Sequence, residues 1–316
     1  MIGTYNSGCA LNEIPFLNQA PDGPLAMVSP ANSYVGLTRR DPLAPKGSLE
    51  SLYPSGVRNF ARVYPIDDAE GAAAAMLVKS LGARRVYALT DREAYGDLLA
   101  HSFRVTAGRI GLEVVGLAGW EPRAKTYAAL VARLKRARVD AVFLGGLFFG
   151  NTAELVKELR AQLGARVRLV VPDGFLPTSD LFRALGPTAQ SLYVTALGGN
   201  DDTRLSLRAR QFVKEFLASK PARAFNPFAI YAGEATEVLL DAIARSDGTR
   251  ESVTRELMAT HVRNGILGSF RFDRNGDTTQ QRVTILRPSR AGPRSLVGIE
   301  GSSVVRVIDV PPSLLP

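Results

Sequence analysis

The chain has 316 residues, of which 46% are hydrophobic and 22% charged, so it is long enough for two domains and its composition argues against disorder. No run approaches the roughly 20 consecutive apolar residues that a membrane-spanning helix needs. The formal net charge is +9, but the basic residues lie in short clusters with acids between them, which disfavours nucleic-acid binding.

The residues that most often carry metal or nucleophilic chemistry are scarce. Cys9 is the only cysteine, which excludes an internal disulfide and a cysteine-based zinc site, and we interpret it as a small apolar filler. The two histidines, His101 and His261, belong to no cluster typical of a metal site or a catalytic triad. We therefore expect no enzymatic activity, no metal and no cofactor.

The N-terminal stretch MIGTYNSGCALNEIPF begins as a strand over Met1 to Thr4 and runs into a polar loop that contains glycine. It lacks the basic, apolar and small-residue regions of a secretory signal. A second short strand is expected in PLAMVSP, at residues 24–30. This pattern is typical of the end of a buried element, so we expect the chain to begin inside a domain.

Between residues 84 and 172 apolar strands alternate with helices. We expect strands at 84–90, 112–116, 140–146 and 167–172, and helices at 94–111, 127–137 and 152–163. Strands that are apolar almost throughout, each separated by one helix, predict a parallel sheet buried on both faces and joined by right-handed crossovers. The predicted fold class is therefore α/β.

Three loops of this region are candidates for a ligand site. In such sheets ligands bind just beyond the carboxyl ends of the strands, where the sequence places DREAYGD, GGLFFGN and PDGFLPTSD. Each loop alone is also typical of an ordinary turn, with glycine for backbone freedom and Asp or Asn as helix cap. Together, at one edge, their tyrosine, glycine pair and lone acid indicate a site.

From about residue 206 to 261 the pattern changes to three amphipathic helical stretches, SLRARQFVKEFLASK, NPFAIYAGEATEVLLDAIARS and TRESVTRELMATHV. These helices need a sheet to pack on, and the nearest candidate is the N-terminal segment of about 60 residues. The order of elements therefore predicts two lobes, with a chain that crosses between them more than once.

The order and spacing of several segments resemble those of a known family. The segments are IGTYNSG, AMVSPANSYVGLT, ARVYPIDDAEGAAAA, LTDREAYGD, VFLGG, VVPDGF, FAIYAGEATEVLLDAI and GSFRFDRNGDTT. Together they resemble the type I periplasmic binding proteins, especially the branched-chain amino acid receptors of ABC importers. The resemblance implies two doubly wound lobes with parallel sheets, joined by a three-strand hinge and closing on a small ligand. Lobe one would comprise residues 1–62 and 196–263, and lobe two residues 63–195 and 264–316.

The resemblance also implies which residues touch the ligand. In amino-acid-binding members the loop that matches YNSG contacts the ligand carboxylate, which gives this role to Ser7. The loop that matches SPANS contributes a backbone carbonyl and a hydroxyl, which implies Ala31 and Ser33. In the second lobe Tyr95 would line the cleft and Asp173 would pair with the ligand ammonium.

Two departures from the family pattern affect these expectations. Leu147 stands where many amino-acid receptors carry an aromatic residue, which indicates a wider pocket or another ligand, such as a short amide or an aromatic acid. The two strands and two helices that precede IGTYNSG in the family are absent, so lobe one is expected to be N-terminally truncated, with an unpaired sheet edge.

We therefore expect an extracytoplasmic solute receptor, periplasmic or at the cell surface, whose partners are a small amino acid or a related, amide-like ligand and the membrane subunits of an ABC importer. The alternative is a ligand-sensing domain of a regulatory or signalling protein with the same fold. A hydrolase that uses Asp173 or Ser7 is disfavoured, since no base lies in a recognisable relation to a nucleophile. The segment FDRNGDTT resembles part of a calcium loop but lacks its spaced acids, so we predict a β-turn between strands.

Overall fold

The computed structural model describes residues 1–199, 205–219, 228–289 and 301–316. The strands in this part are β1 (Met27–Ser29), β2 (Phe60–Arg62), β3 (Arg85–Thr90), β4 (Glu113–Gly119), β5 (Ala141–Gly145), β6 (Arg168–Val171), β7 (Leu192–Leu197), β8 (His261–Gly265), β9 (Gly268–Arg271), β10 (Arg282–Pro288) and β11 (Ser302–Asp309). The helices are α1 (Ser7–Asn18), α2 (Asp67–Ser80), α3 (Ala94–Arg109), α4 (Ala128–Arg136), α5 (Thr152–Leu163), α6 (Thr178–Leu185), α7 (Leu207–Ser219), α8 (Phe228–Arg245) and α9 (Arg250–Met258). None of the helices in these ranges has the length and apolarity that crossing a membrane requires.

The chain divides into two compact units. The first comprises Met1–Ile66 and Asp202–Gln281, and the second comprises Asp67–Asp201 and Arg282–Pro316. Residues 264–281, which the sequence analysis assigned to lobe two, lie in the first unit, because β9 pairs with β8 and because Asp277 bridges to Arg62. Residues 196–201, assigned to lobe one, lie in the second unit, since strand β7 continues to Leu197.

The second unit is built on a seven-stranded sheet with the order β11-β10-β7-β6-β5-β3-β4. The five strands from β7 to β4 pair in parallel, and β10 and β11 extend the sheet in antiparallel pairing. This confirms the predicted α/β class with a mostly parallel sheet. The bounds of helices α3, α4 and α5 all lie within two residues of those expected from the sequence.

The central strands are apolar throughout because both faces of the sheet are covered. On β5, Val142 and Leu144 belong to a core cluster that also contains Leu155 of α5. The intervening Phe143 points to the opposite face and stacks on Phe103 of α3, with 4.9 Å between ring centroids. Successive side chains of a strand alternate between faces, so a strand that is buried on both sides cannot show a polar alternation.

Helices α2 and α3 approach each other closely at Gly71. A Cβ atom on this glycine would lie 2.7 Å from the backbone nitrogen of Phe103 and 2.8 Å from the carbonyl oxygen of Leu99. The four alanines that follow, residues 72–75, have no exposed surface. The small side chains of α2 therefore let two helix backbones pack together on the sheet.

The first unit contains a short parallel pair, β1 with β2, extended by single bridges from Ile2 to Val28 and from Asp277 to Arg62. The expected strand at residues 1–4 is thus reduced to one bridge. Helix α1 was not predicted, since the sequence analysis described YNSG only as a loop. It forms because Ala10, Ile14 and Leu17 recur at helical spacing and pack into the core of this unit.

The remaining helices of this unit, α7, α8 and α9, correspond to the three amphipathic stretches of the sequence. Lys220, Asn226 and Pro227, which belong to those stretches, lie outside the described residues. The segment FDRNGDTT forms the predicted turn: the Gly276 amide donates to the Asp273 carbonyl (3.0 Å), and Gly276 has φ +91°. The Asp273 carboxylate accepts from the Asn275 amide (2.8 Å), so it orders the turn.

Candidate functional site

The loops indicated by the sequence follow three strands that are neighbours in the sheet. Asp91 follows β3, Gly146 follows β5, and Asp173 comes two residues after β6, in a short 3₁₀ turn at Asp173–Phe175. Because β6, β5 and β3 are adjacent and parallel, their carboxyl ends meet at one edge of the second unit. The loops are therefore side by side, as predicted.

Asp91 joins the first two loops. Its Oδ2 accepts from the Leu147 amide (2.9 Å), and its Oδ1 accepts from the Glu93 amide (3.1 Å). A Cβ on Gly146 would lie 2.5 Å from the Asp91 carboxylate, so the glycine is needed for this approach. Sequence reasoning gave Asp91 no role beyond that of a turn residue.

Tyr95, Leu147 and Asp173 come together around Gly174. Tyr95, the second residue of α3, donates its phenolic proton to Oδ1 of Asp173 across 2.7 Å. A Cβ on Gly174 would lie 2.8 Å from Cδ2 of Leu147 and 3.0 Å from the ring of Tyr95. Leu147 keeps 43% of its surface exposed. Half of the predicted ligand residues thus form one group on this edge.

A fourth residue of this group, Glu70 on α2, was quoted in the sequence analysis but given no role. It has no exposed surface. Its Oε1 accepts from the Asp173 amide (2.8 Å) and from the hydroxyl of Thr195 on β7 (2.8 Å), while its Oε2 lies 3.4 Å from the Tyr95 hydroxyl. The signal that could have indicated it is an acid just before Gly71 and a run of four alanines, where burial of a carboxyl without a partner is costly.

The electrostatics of the group oppose ionisation. Burial raises the pKa of Glu70 well above its ordinary value, and the nearby Asp173 carboxyl raises it further. Burial also raises the pKa of Asp173, although the hydrogen bond from Tyr95 favours its charged form. Two acids that share hydrogen-bond partners inside a protein do not both ionise easily.

The other three predicted ligand residues, Ser7, Ala31 and Ser33, lie in the first unit, where Ser7 contacts the loop that contains the other two through a backbone amide. Oγ of Ser7, at the start of α1, accepts from the amide of Tyr34 (3.2 Å). The Ala31 amide donates to Oγ of Ser29 (3.2 Å), and Ser33, two residues after Ala31 in the same loop, is half-buried. Ser7 is therefore next to the loop of Ala31 and Ser33, and the ligand roles of these three residues remain predictions.

An aromatic group in the first unit was missed by sequence reasoning. Phe228, at the start of α8, lies 5.1 Å from Tyr5 and 5.3 Å from Tyr64, measured between ring centroids, and Tyr64 meets Tyr231 edge-on at 4.9 Å. Tyr5 has 63% of its surface exposed. The spacing of Phe228 and Tyr231 on one helix face is the signal that could have indicated the group.

The sequence of residues 39–293 matches the family model of the periplasmic binding proteins. The chain belongs to the periplasmic binding protein family. Its curated relatives in that family include the Leu/Ile/Val-binding protein BraC3 of Rhizobium johnstonii, which is 28% identical over 286 residues, 84% of this chain and 73% of the relative. A Leu/Ile/Val-binding protein of Citrobacter freundii is 25% identical over 74% of this chain and 62% of its own length.

Solved structures show the same fold. The leucine-binding protein LivK of Thermotoga maritima superimposes with a TM-score of 0.70 at 24% identity, covering 98% of this chain and 79% of that chain. The curated relative from Citrobacter freundii is matched over less than two thirds of its length. The present chain is therefore similar to Leu/Ile/Val-binding proteins along most of its own length, but it spans only part of the length of those relatives.

Proposed function

We propose that this chain is a solute receptor that binds a small amino acid with an aliphatic side chain outside the cytoplasm and delivers it to the membrane subunits of an ABC importer. Its membership of the periplasmic binding protein family supports this proposal. So does its similarity to relatives that are named Leu/Ile/Val-binding proteins.

The observation that carries the proposal is the position of Asp173. Its carboxylate lies at the carboxyl edge of a parallel sheet, oriented by the 2.7 Å hydrogen bond from Tyr95, with exposed Leu147 beside it. An amino acid placed there needs an anion for its ammonium group, since a buried unpaired charge costs several kcal/mol. Asp173 supplies that anion, and Leu147 supplies an apolar surface near it.

The test is calorimetric titration of the full chain with L-leucine, L-isoleucine and L-valine, with benzoate and acetamide as ligands that lack an ammonium group. We expect at least one of the three amino acids to bind. Asp173→Ala should weaken that binding by at least tenfold, since removing one partner of a buried charge pair costs about 3 to 5 kcal/mol.

The matched control is Asp180→Ala. Asp180 lies in the first turn of α6 in the same unit and pairs at the surface with Arg183 (2.7 Å). The Asp180→Ala variant should bind the amino acid with the same affinity as the unmodified chain. Equal binding by Asp173→Ala and the unmodified chain would reject the ammonium role, and binding of benzoate or acetamide but no amino acid would reject the amino-acid assignment.

A further inference from the structure

The hydrogen bonds around Glu70 require one more proton than the neighbouring groups supply. Oε1 of Glu70 already accepts from the Asp173 amide and from the Thr195 hydroxyl, both at 2.8 Å. Oε2 faces the Tyr95 hydroxyl at 3.4 Å. Tyr95 has a single phenolic proton, and its shorter contact, 2.7 Å, is with Asp173.

If Glu70 were ionised, its fully buried Oε2 would face the oxygen of Tyr95 with no proton between them. A proton on Oε2 resolves this: Glu70 then donates to Tyr95, and Tyr95 donates to Asp173. Both carboxyl oxygens of Glu70, the Tyr95 hydroxyl and Oδ1 of Asp173 then each have a partner, as buried polar groups require.

In the part of the chain that the structure describes, the groups that face Glu70 from the surrounding elements include no cation. They are Asp173 on the 3₁₀ turn after β6, Tyr95 on α3, Thr195 on β7 and Asp67 on α2 itself. Of these four, the three that titrate are acids. A second negative charge beside Asp173 is therefore opposed by like charge as well as by burial.

We propose that Glu70 is a positioning residue of the ligand site, which in its neutral form donates to Tyr95 and thereby fixes Asp173 as the single carboxylate that meets a ligand ammonium. This inference rests on the proposed function, since it assigns Asp173 that role. The inference also narrows the class of ligand. A single carboxylate matches a ligand with one ammonium group, such as a neutral amino acid, and disfavours a ligand with two ammonium groups.

The informative variant is Glu70→Gln, which has the shape of the protonated acid. Its amide oxygen can accept from Asp173 and Thr195, and its amide nitrogen can donate to Tyr95. It should therefore keep leucine binding within about threefold of the unmodified chain at pH 7. Glu70→Ala, which removes the donor and leaves a cavity, should lose at least tenfold. An equal loss in both variants would overturn the proposal.

A second measurement reads the proton on Glu70 without any ligand. Thermal unfolding of the unmodified full chain and of Glu70→Gln is compared from pH 4.5 to pH 9. A neutral Glu70 in the folded chain means one more proton bound than in the unfolded chain above pH 4.5, so the melting temperature should fall relative to Glu70→Gln as pH rises. A difference between the two that does not change with pH would overturn the proposal.

Infrared spectroscopy provides the same information where the Glu70 variant folds poorly. It is done on Glu234→Gln, because Glu234 is a second buried acid, with a pKa of about 7, that would add its own band. In that variant the carbonyl band of a protonated carboxylic acid should be present at pH 7, and its absence would overturn the proposal. If no amino acid binds the unmodified chain, the proposed function and the ligand role of Glu70 both fail. The unfolding and infrared measurements then still decide whether Glu70 is neutral, so the two failures are distinguishable.

Discussion

Arg62 and Asp277 form an ion pair of 2.8 Å in which neither side chain has any exposed surface, although 215 residues separate them in the sequence. Arg62 also donates to Oγ1 of Thr38 and to the carbonyl of Tyr34 (2.5 and 2.7 Å), and Asp277 accepts from Arg39 (2.6 Å). The pair joins β2 to the turn that follows β9. This is why residues around Asp277 belong to the first unit.

Breaking this pair should strongly destabilise the first unit. Arg62→Met removes one of the two positive charges that pair with the buried Asp277 carboxylate, a change that costs about 3 to 5 kcal/mol of folding free energy. The free energy of unfolding from urea titration measures the effect. Arg183→Met is the control, since Arg183 is 76% exposed and its pair with Asp180 should contribute at most about 1 kcal/mol. Similar losses in the two variants would contradict the structural role of Arg62.

The same pair predicts an acid sensitivity. Burial opposes ionisation of Asp277, but Arg62 and Arg39 outweigh it and hold the pKa of Asp277 below its ordinary value. A carboxyl with a lowered folded-state pKa stabilises the fold above its unfolded-state pKa of 3.8, and this contribution is lost as pH falls further. Asp277→Asn should therefore lower stability less, relative to the unmodified chain, at pH 3 than at pH 6. An unchanged difference between pH 3 and pH 6 would contradict the assignment.

The contact between α2 and α3 can be tested with two glycines. Gly71→Ala places a methyl 2.7 Å from the backbone of Phe103, which the helices cannot accommodate without moving apart, so we expect a loss of about 1 to 3 kcal/mol. Gly108→Ala lies in α3 with nothing within 4 Å of the new methyl, and should stabilise the helix by up to about 1 kcal/mol. Chemical denaturation of both variants measures the difference, and effects of the same sign would contradict the close packing.

Much of the second unit follows from the sequence because its elements have strong local signals. The apolar strands β3, β5 and β6 and the amphipathic helices α4 and α5 show their periods directly. The loops after the strands could be placed at one edge because parallel pairing fixes where strand ends meet. On that basis the sequence predicted that the loops containing Tyr95 and Asp173 lie at the same edge of the sheet.

The parts that could not be predicted depend on distant contacts. The assignment of residues 264–281 to the first unit depends on the bridge of Asp277 to Arg62, which no local pattern indicates. Glu70 was missed because its three partners come from three other elements. Its position within α2 shows only that an acid lies on a helix.

The hydrogen bond from Tyr95 to Asp173 should matter for ligand binding. Tyr95→Phe keeps the ring but removes a donor to a charged group, which contributes about 1.5 to 3 kcal/mol, so we expect leucine affinity to fall about tenfold or more. Tyr127→Phe is the control, since the Tyr127 hydroxyl donates to the Glu121 carbonyl (2.8 Å), away from this group. Calorimetric titration should show a loss only in Tyr95→Phe, and equal affinities would remove Tyr95 from the site.

A second buried acid, Glu234 on α8, gives the first unit a pH dependence of its own. Its Oε2 accepts from the Leu267 amide (2.7 Å), in the turn between β8 and β9, and it is almost fully buried. Burial raises the pKa of Glu234 from 4.5 to about 7, although hydrogen bonds from the hairpin favour the charged form. The folded chain thus binds one more proton than the unfolded chain between these two pH values. Its stability therefore falls as pH rises through this window.

Glu234→Gln should remove this dependence, because glutamine keeps the acceptor for the Leu267 amide but does not ionise. Relative to the unmodified chain it should gain stability between pH 5 and pH 8, by at most about 3 kcal/mol for a shift of this size. Glu251→Gln, an exposed residue on α9, is the control and should leave the pH dependence unchanged. Urea titrations at the two pH values measure both. A loss of stability at pH 8 in Glu234→Gln would mean that the hairpin requires the carboxylate, because the charged hydrogen bond to Leu267 would then outweigh the cost of burial.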